Sequence, residues 1–161
     1  MRIGLISDTH GSLDEVVVDH LKECDEIWHA GDVGSAEVLK QLSAIKPLRA
    51  VFGNIDGPEV TATLPRALAW ECEGVGIYMT HIAEEAKAEL KERRPDVFVC
   101  GHSHILRVAR QTGGWLYMNP GACGHQGFHR MRTMLRFTIS GGRVHAVEAA
   151  ELGFRGRIRR I

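Results

Sequence analysis

Two short stretches set a potential metal ligand two positions from a histidine: Asp8-Thr9-His10 and His102-Ser103-His104. In an extended backbone, positions i and i+2 share one face, so each pair can aim at a common centre. Asp8 with His10 offers oxygen and nitrogen; His102 with His104 offers two nitrogens. Three glycine-led pairs extend the set, Gly31-Asp32, Gly53-Asn54 and Gly101-His102, and His81 completes it. A glycine just before a polar residue permits a sharp turn or a close approach of the backbone. Singly, each of these residues reads best as a turn or a hydrogen-bonded structural side chain. Together, two carboxylates, one amide and four imidazoles form the mixed oxygen–nitrogen set that Mn, Fe, Co, Ni or Zn accepts. The set exceeds the needs of one ion and suits two divalent ions sharing a carboxylate. Paired ions clamp a phosphoryl group and turn water into hydroxide near neutral pH.

Such a site needs elements to carry it. Residues 1–7 (MRIGLIS) read as a first strand that stops at Asp8. Leu13, Val16, Val17 and Leu21 recur at helical spacing, with Ser12 or Asp14 as cap. Residues 26–30 and 48–52 read as strands ending near Gly31-Asp32 and Gly53-Asn54, with a helix from Ser35 between them. Strands alternating with helices imply parallel βαβ units, whose ligand sites gather at strand carboxyl ends. Residues 67–73 and 76–80 read as a hairpin running into His81, 84–94 as an amphipathic helix, and 97–100 as a buried strand. Strands over 105–110, 115–118, 134–139 and 144–147 follow, with Gly113-Gly114 and Gly141-Gly142 at turns. The expected fold class is α/β, two mixed β-sheets packed face to face with helices outside. The whole chain, 1–161, reads as one domain whose residues 153–161 form an exposed, disordered basic tail.

The totals narrow the classes. Lys plus Arg number 20, as do Asp plus Glu, so formal charge is zero and a general nucleic-acid binder is disfavoured. The four cysteines form no CxxC pair, which argues against a zinc ribbon or a disulfide framework. Most of them read as small buried residues. No signal-peptide pattern or membrane span is evident, so a soluble, cytoplasmic protein is expected.

Asp8-x-His10, Gly31-Asp32, Gly53-Asn54-x-Asp56, Thr80-His81 and Gly101-His102-x-His104, in this order, resemble the motifs of the calcineurin-like metallophosphoesterases. The SDTHG start (Ser7 to Gly11), the compact length and Asn119-Pro120-Gly121 are similar to the small bacterial and archaeal phosphodiesterase branch. The resemblance implies an αββα sandwich and a dinuclear site. One ion would take Asp8, His10, Asp32 and His104; the other would take Asp32, Asn54, His81 and His102, with Asp32 bridging. Hydroxide between the ions would attack phosphorus in line. The implied cofactors are two divalent ions, Mn first, then Ni, Fe or Zn. The implied catalytic residues are Asp32, Asn54 and His102, and the implied activity is phosphodiester hydrolysis.

The chain departs from the family pattern twice. Ile55 stands where the wider family has a histidine, and it can neither donate a proton nor carry charge. Aryl oxides should therefore leave better than alkyl alcohols, by the ~10²–10⁴-fold that general-acid help supplies. His125 or His129 is the candidate replacement acid. Ile82 stands where a glycine is usual, and a β-branched residue would be strained there if φ were positive. Asp56 reads as a loop clamp. Asn119-Pro120-Gly121 reads as a turn closing over the site. Arg130, with Arg132, is a candidate phosphate contact alongside Asn54. Trp28, Trp70 and Trp115 read as core. Rival readings are a protein-interaction scaffold on the same fold, a phosphomonoesterase, or a nuclease. The implied partners are a small phosphodiester substrate and, beyond it, a second copy of the chain in a homo-oligomer.

Overall fold

The computed structural model describes residues 1–155. The first half builds one sheet from parallel strands β1 (Arg2–Ile6), β2 (Glu26–His29) and β3 (Leu48–Ala50). Helix α1 (Glu15–Lys22) links β1 to β2, and α2 (Ala36–Ile45) links β2 to β3. Asp14 caps α1 through Val17 N at 3.2 Å, and Ser35 caps α2 through Val38 N at 3.4 Å. Each satisfies a backbone donor that a helix start leaves free. Helix α1 lies so close over β1 that a Cβ on Gly4 would meet Leu21 Cδ2 at 2.7 Å. A short α3 (Pro58–Thr61), which carries little periodic signal, leads to the second half.

That half builds the second sheet from β4 (Ala67–Cys72), β5 (Val75–Thr80), β6 (Val97–Val99), β7 (Leu106–Arg110) and β8 (Leu116–Pro120), in the order β4-β5-β6-β8-β7. β4 and β5 form the expected hairpin, turning at Glu73 and Gly74 with φ of 50° and 80°. The expected helix over 84–94 divides into a 3₁₀ turn, Ala83–Ala86, and α4 (Lys87–Arg93). The last two strands return to the first sheet. β9 (Met131–Ser140) pairs antiparallel with β1, and β10 (Arg143–Phe154) pairs with β9, giving the order β10-β9-β1-β2-β3. β10 is far longer than the predicted 144–147. Mixed polar and small residues hide its alternation, and irregular pairing after His145, with Ala146 at φ 51°, breaks its period.

The two sheets face each other across Ile3, Leu5, Trp28, Ile77, Met79 and Phe137. Trp28 meets Phe137 edge-on at 5.4 Å. A second cluster, with Val17, Leu21, Val38 and Leu42, seats α1 and α2 on the first sheet. A third, around Tyr78, Phe98 and Ala86, covers the outer face of the second sheet. The architecture is thus helices, sheet, sheet, helix. All four cysteines are buried and free. Among the described residues no helix is long and apolar enough to cross a membrane.

The tail expectation needs correction at its start. Gly153 and Phe154 close β10, and Arg155 is half-buried, with Nη2 on Ala122 O at 3.1 Å. Alignment with β9 carries the chain this far; residues 156–161, with Arg157, Arg159 and Arg160, lie outside the described residues.

Candidate metal centre

All seven predicted ligands come to one edge of the sandwich, where the ends of β1, β2 and β3 meet those of β5 and β6. Asp8 and His10 follow β1, Asp32 follows β2, Asn54 follows β3, His81 follows β5, and His102 and His104 follow β6. His104 Nε2 lies 3.0 Å from Asp8 Oδ1, and His10 Nε2 lies 3.4 Å from His104 Nε2. His81 Nε2 lies 3.1 Å from Asp32 Oδ1, and His102 Nδ1 lies 2.9 Å from Asn54 Oδ1. Ligating atoms of Asp8, His10 and His104 form one close group, and those of Asp8, Asp32 and His81 another.

The route to this convergence differs from the extended pairs anticipated. Asp8, His10, Asp32, His102 and His104 all have φ between 48° and 66°. The side chains converge because the chain turns left-handed at each of them, a conformation that Asp and His tolerate at a cost of about 1–3 kcal/mol each. Local packing holds them there. A Cβ on Gly53 would fall 2.1 Å from Asp32 Oδ1, and one on Gly101 would fall 2.0 Å from Ser7 Oγ. A Cβ on Gly31 would fall 2.6 Å from His81 Nδ1. The glycine-led pairs thus meet the need for close approach.

Further residues fix the loops. Asp56 accepts from Val33 N (3.1 Å), Gly34 N (2.7 Å) and Gly53 N (2.8 Å), tying the Asp32 loop to the Asn54 loop as expected of a clamp. Asn119 is fully buried and donates to Gly101 O (2.8 Å) and Ser103 Oγ (3.1 Å). It anchors the His102–His104 loop instead of closing over the site, because Asn119, Pro120 and Gly121 are themselves buried. His29, read only as a strand residue, lies under the site. Its Nδ1 accepts from Gly31 N at 3.2 Å, so Nε2 carries the proton toward Thr9 Oγ1 at 2.9 Å. Thr9 Oγ1 in turn donates to Val33 O at 2.8 Å. A histidine at the end of a buried strand, two positions before Gly31-Asp32, was the available signal.

Ile82 has φ −104°, ordinary extended backbone, so the strain anticipated there does not arise. His81 is accordingly well placed, 2% exposed, with Nδ1 on Ala30 O at 2.8 Å. Ile55 is half-exposed, and its backbone N donates to Asp32 Oδ1 at 3.2 Å. His125 pairs with Asp14 at 3.0 Å, and Arg132 Nη1 contacts both. Arg132 is buried and also holds Cys123 O and Leu152 O, so it is committed to structure and not free for phosphate. Arg130 and His129 are exposed on the same loop. Arg155, missed as a site neighbour, ends near His104. A Cβ on Gly127 would fall 2.3 Å from His104 Nδ1 and 2.7 Å from Arg155 Nη1.

The electrostatics fit a cation. Burial pushes the Asp32 carboxyl up, but His81, the Ile55 N–H and His10 outweigh it and hold the group below its ordinary value. Burial pushes His81 down, but contact with Asp32 and the fields of Asp8 and Asp32 raise it above the usual imidazole range. In the metal-free protein a proton thus supplies positive charge that a divalent ion would replace. Asp8 Oδ1 and His81 Nε2 are buried with no aligned hydrogen-bond partner. Two buried ligating atoms left without an aligned hydrogen-bond partner suit coordination to a cation. The residues fit divalent metal.

Known proteins share sequence and fold with this chain. Residues 1–142 match the profile of the calcineurin-like phosphoesterase superfamily domain. A probable metallophosphoesterase of Methanothermobacter thermautotrophicus is 30% identical over 134 residues, covering 76% of this chain and 77% of its own. A phosphodiesterase of Methanocaldococcus jannaschii is 26% identical over 141 residues, covering 76% and 84%. A zinc complex of Vps29 from Entamoeba histolytica shares the fold, with a TM-score of 0.73 at 17% identity over 95% of this chain and 100% of that one.

Proposed function

The chain belongs to the calcineurin-like phosphoesterase superfamily, a divalent-metal-dependent group, and from that premise we propose a dinuclear phosphodiesterase. The observation that carries the reading is the placement of Asp32. Its Oδ2 lies 3.8 Å from His10 Nε2, and its Oδ1 lies 3.1 Å from His81 Nε2. One carboxylate that gives an oxygen to each imidazole group suits a bridge. Asp8, His10 and His104 would hold one ion with Asp32; Asn54, His81 and His102 would hold the other.

Bound ions of this kind polarise a phosphoryl oxygen and bring the pKa of water toward neutrality. The chain supplies the rest. Asn54 adds an oxygen without charge, which limits repulsion of an anionic substrate. Asn54 and His102 are exposed, so they meet the phosphate first and orient it. Arg130, exposed on the 124–130 loop, is the cation nominated to meet it from that side. Ile55 brings no proton to the leaving oxygen, and His125 is held by Asp14 and Arg132. The site therefore favours diesters whose leaving group departs as a stable anion. The phosphodiesterase relative from M. jannaschii supports a diester over a monoester. Manganese is our first choice of ion, followed by nickel, iron and zinc. A small substrate is preferred to nucleic acid because the formal charge is zero.

The test uses the full chain stripped of metal, then supplied with Mn²⁺, Ni²⁺ or Zn²⁺, on bis(4-nitrophenyl) phosphate and on 4-nitrophenyl phosphate. Turnover should return with metal and favour the diester, and Asp32→Asn should lower it roughly 10³-fold. A protein that binds two ions yet cleaves no diester, or prefers the monoester, defeats the reading.

A further inference from the structure

We propose that the site takes a phosphodiester whose retained ester group is a planar aromatic ring, and that this ring lodges in a cleft opening beside Asn54 and His81. The proposal rests on the phosphodiesterase reading and names the substrate class for it. The cleft holds about 200 Å³, and Asn54 and His81 form part of its wall. Both residues also belong to the ligand cluster. A phosphoryl group held at the cluster must direct its ester oxygens away from the ligating atoms. An ester oxygen directed to this side enters the cleft immediately.

The character of the wall selects the substituent that this oxygen carries. Phe52 and Ile82, both half-buried, line it with Gly53 and Thr80, and although Asn54, Arg66, His81 and Glu85 also border it, the surface it exposes is mostly carbon. A hydroxyl-rich substituent would lose hydrogen bonds against such a surface. A methyl group would leave most of the volume without contacts. A flat ring can lie against the Phe52 face and the branched Ile82 side chain together. At the rim, Arg66 Nη2 and Glu85 Oε2 pair at 2.6 Å. That pairing leaves no unbalanced cation to draw a second anionic group, while the guanidinium still offers a partner to an aromatic face.

The experiment keeps the leaving group constant so that only the retained ester varies. The Mn²⁺-loaded full chain is assayed on methyl 4-nitrophenyl phosphate and phenyl 4-nitrophenyl phosphate. In parallel, calorimetry compares monomethyl phenylphosphonate with monomethyl methylphosphonate, whose phosphorus–carbon bonds resist hydrolysis. The phenyl member of each pair should be favoured roughly tenfold or more, chiefly through KM and affinity. Ile82→Asp should bring both ratios toward one. Ile82→Gly, which removes the wall without adding charge, should do the same if the aspartate variant folds poorly. Equal values for phenyl and methyl in the unaltered chain overturn the proposal, as does a ratio that neither substitution moves. If no diester is cleaved, the phosphodiesterase reading falls, and the phosphonate affinities alone decide whether the cleft receives an aromatic ring.

Discussion

The two halves of the candidate metal centre set similar predicted ligands in different surroundings. Asp8, His10 and His104 form an enclosed half. Asp8 is fully buried, and the His10 and His104 side chains are only 12% and 16% exposed. All three sit on left-handed backbone. Asp32, Asn54, His81 and His102 form an open half, with Asp32 and His81 buried but Asn54 and His102 exposed. The enclosed half is propped from below by Thr9 and His29, the open half by Asp56. On the dinuclear reading the contrast divides the labour: the enclosed half would retain an ion, and the open half would admit substrate beside one.

The contrast breaks first at the ligands. His104→Ala should weaken the more tightly held ion by more than the roughly 10–100-fold that an outer hydrogen-bond partner costs. His102→Ala should leave that ion in place while abolishing the second. Metal content after dialysis, read by mass spectrometry, distinguishes the two; equal losses would erase the distinction between halves. A smaller effect concerns the prop beneath the enclosed half. Burial depresses His29 to about 4 from 6.5, with the fields of Asp8 and Asp56 opposing. The unfolded chain therefore takes up this proton first as pH falls. The stability that depends on a neutral His29 is intact above pH 6.5 and is lost toward pH 4, by about 3 kcal/mol. Urea melts of metal-free protein across that window should show the loss, and His29→Gln should flatten it. An unchanged slope in the variant would remove His29 from this role. The smallest effect is at Ile82 in the open half. Because its φ is −104°, Ile82→Gly should relieve no strain and should cost about 1 kcal/mol of backbone freedom in thermal melts.

Much of the site could be read in the sequence because its signals are local. Gly31-Asp32, Gly53-Asn54 and Gly101-His102 each pair a tight approach with a predicted ligand, and the structure brings all of them together. The backbone state was not legible. The i, i+2 spacing of Asp8 and His10 fits a strand and a turn equally well, and only the packing of neighbouring loops selects φ near 50°. The parallel first half was readable from its alternating elements. The length of β10 was not, since its pairing with β9 supplies the order that its own pattern lacks. His29, Arg155 and the commitment of Arg132 were hidden for one reason. A polar residue's role depends on partners far along the chain, such as Leu152 for Arg132.

The space beside Gly101 carries a last consequence. Ser7 Oγ, from the end of the first sheet, occupies the volume that a Cβ there would need in the second. The ligands are likewise divided between sheets, so the full set forms only where the two are already docked. Bound ions would then act as a latch across the seam. They would slow the parting of the layers and lengthen the life of the native protein, while each sheet would still assemble at its own pace without them.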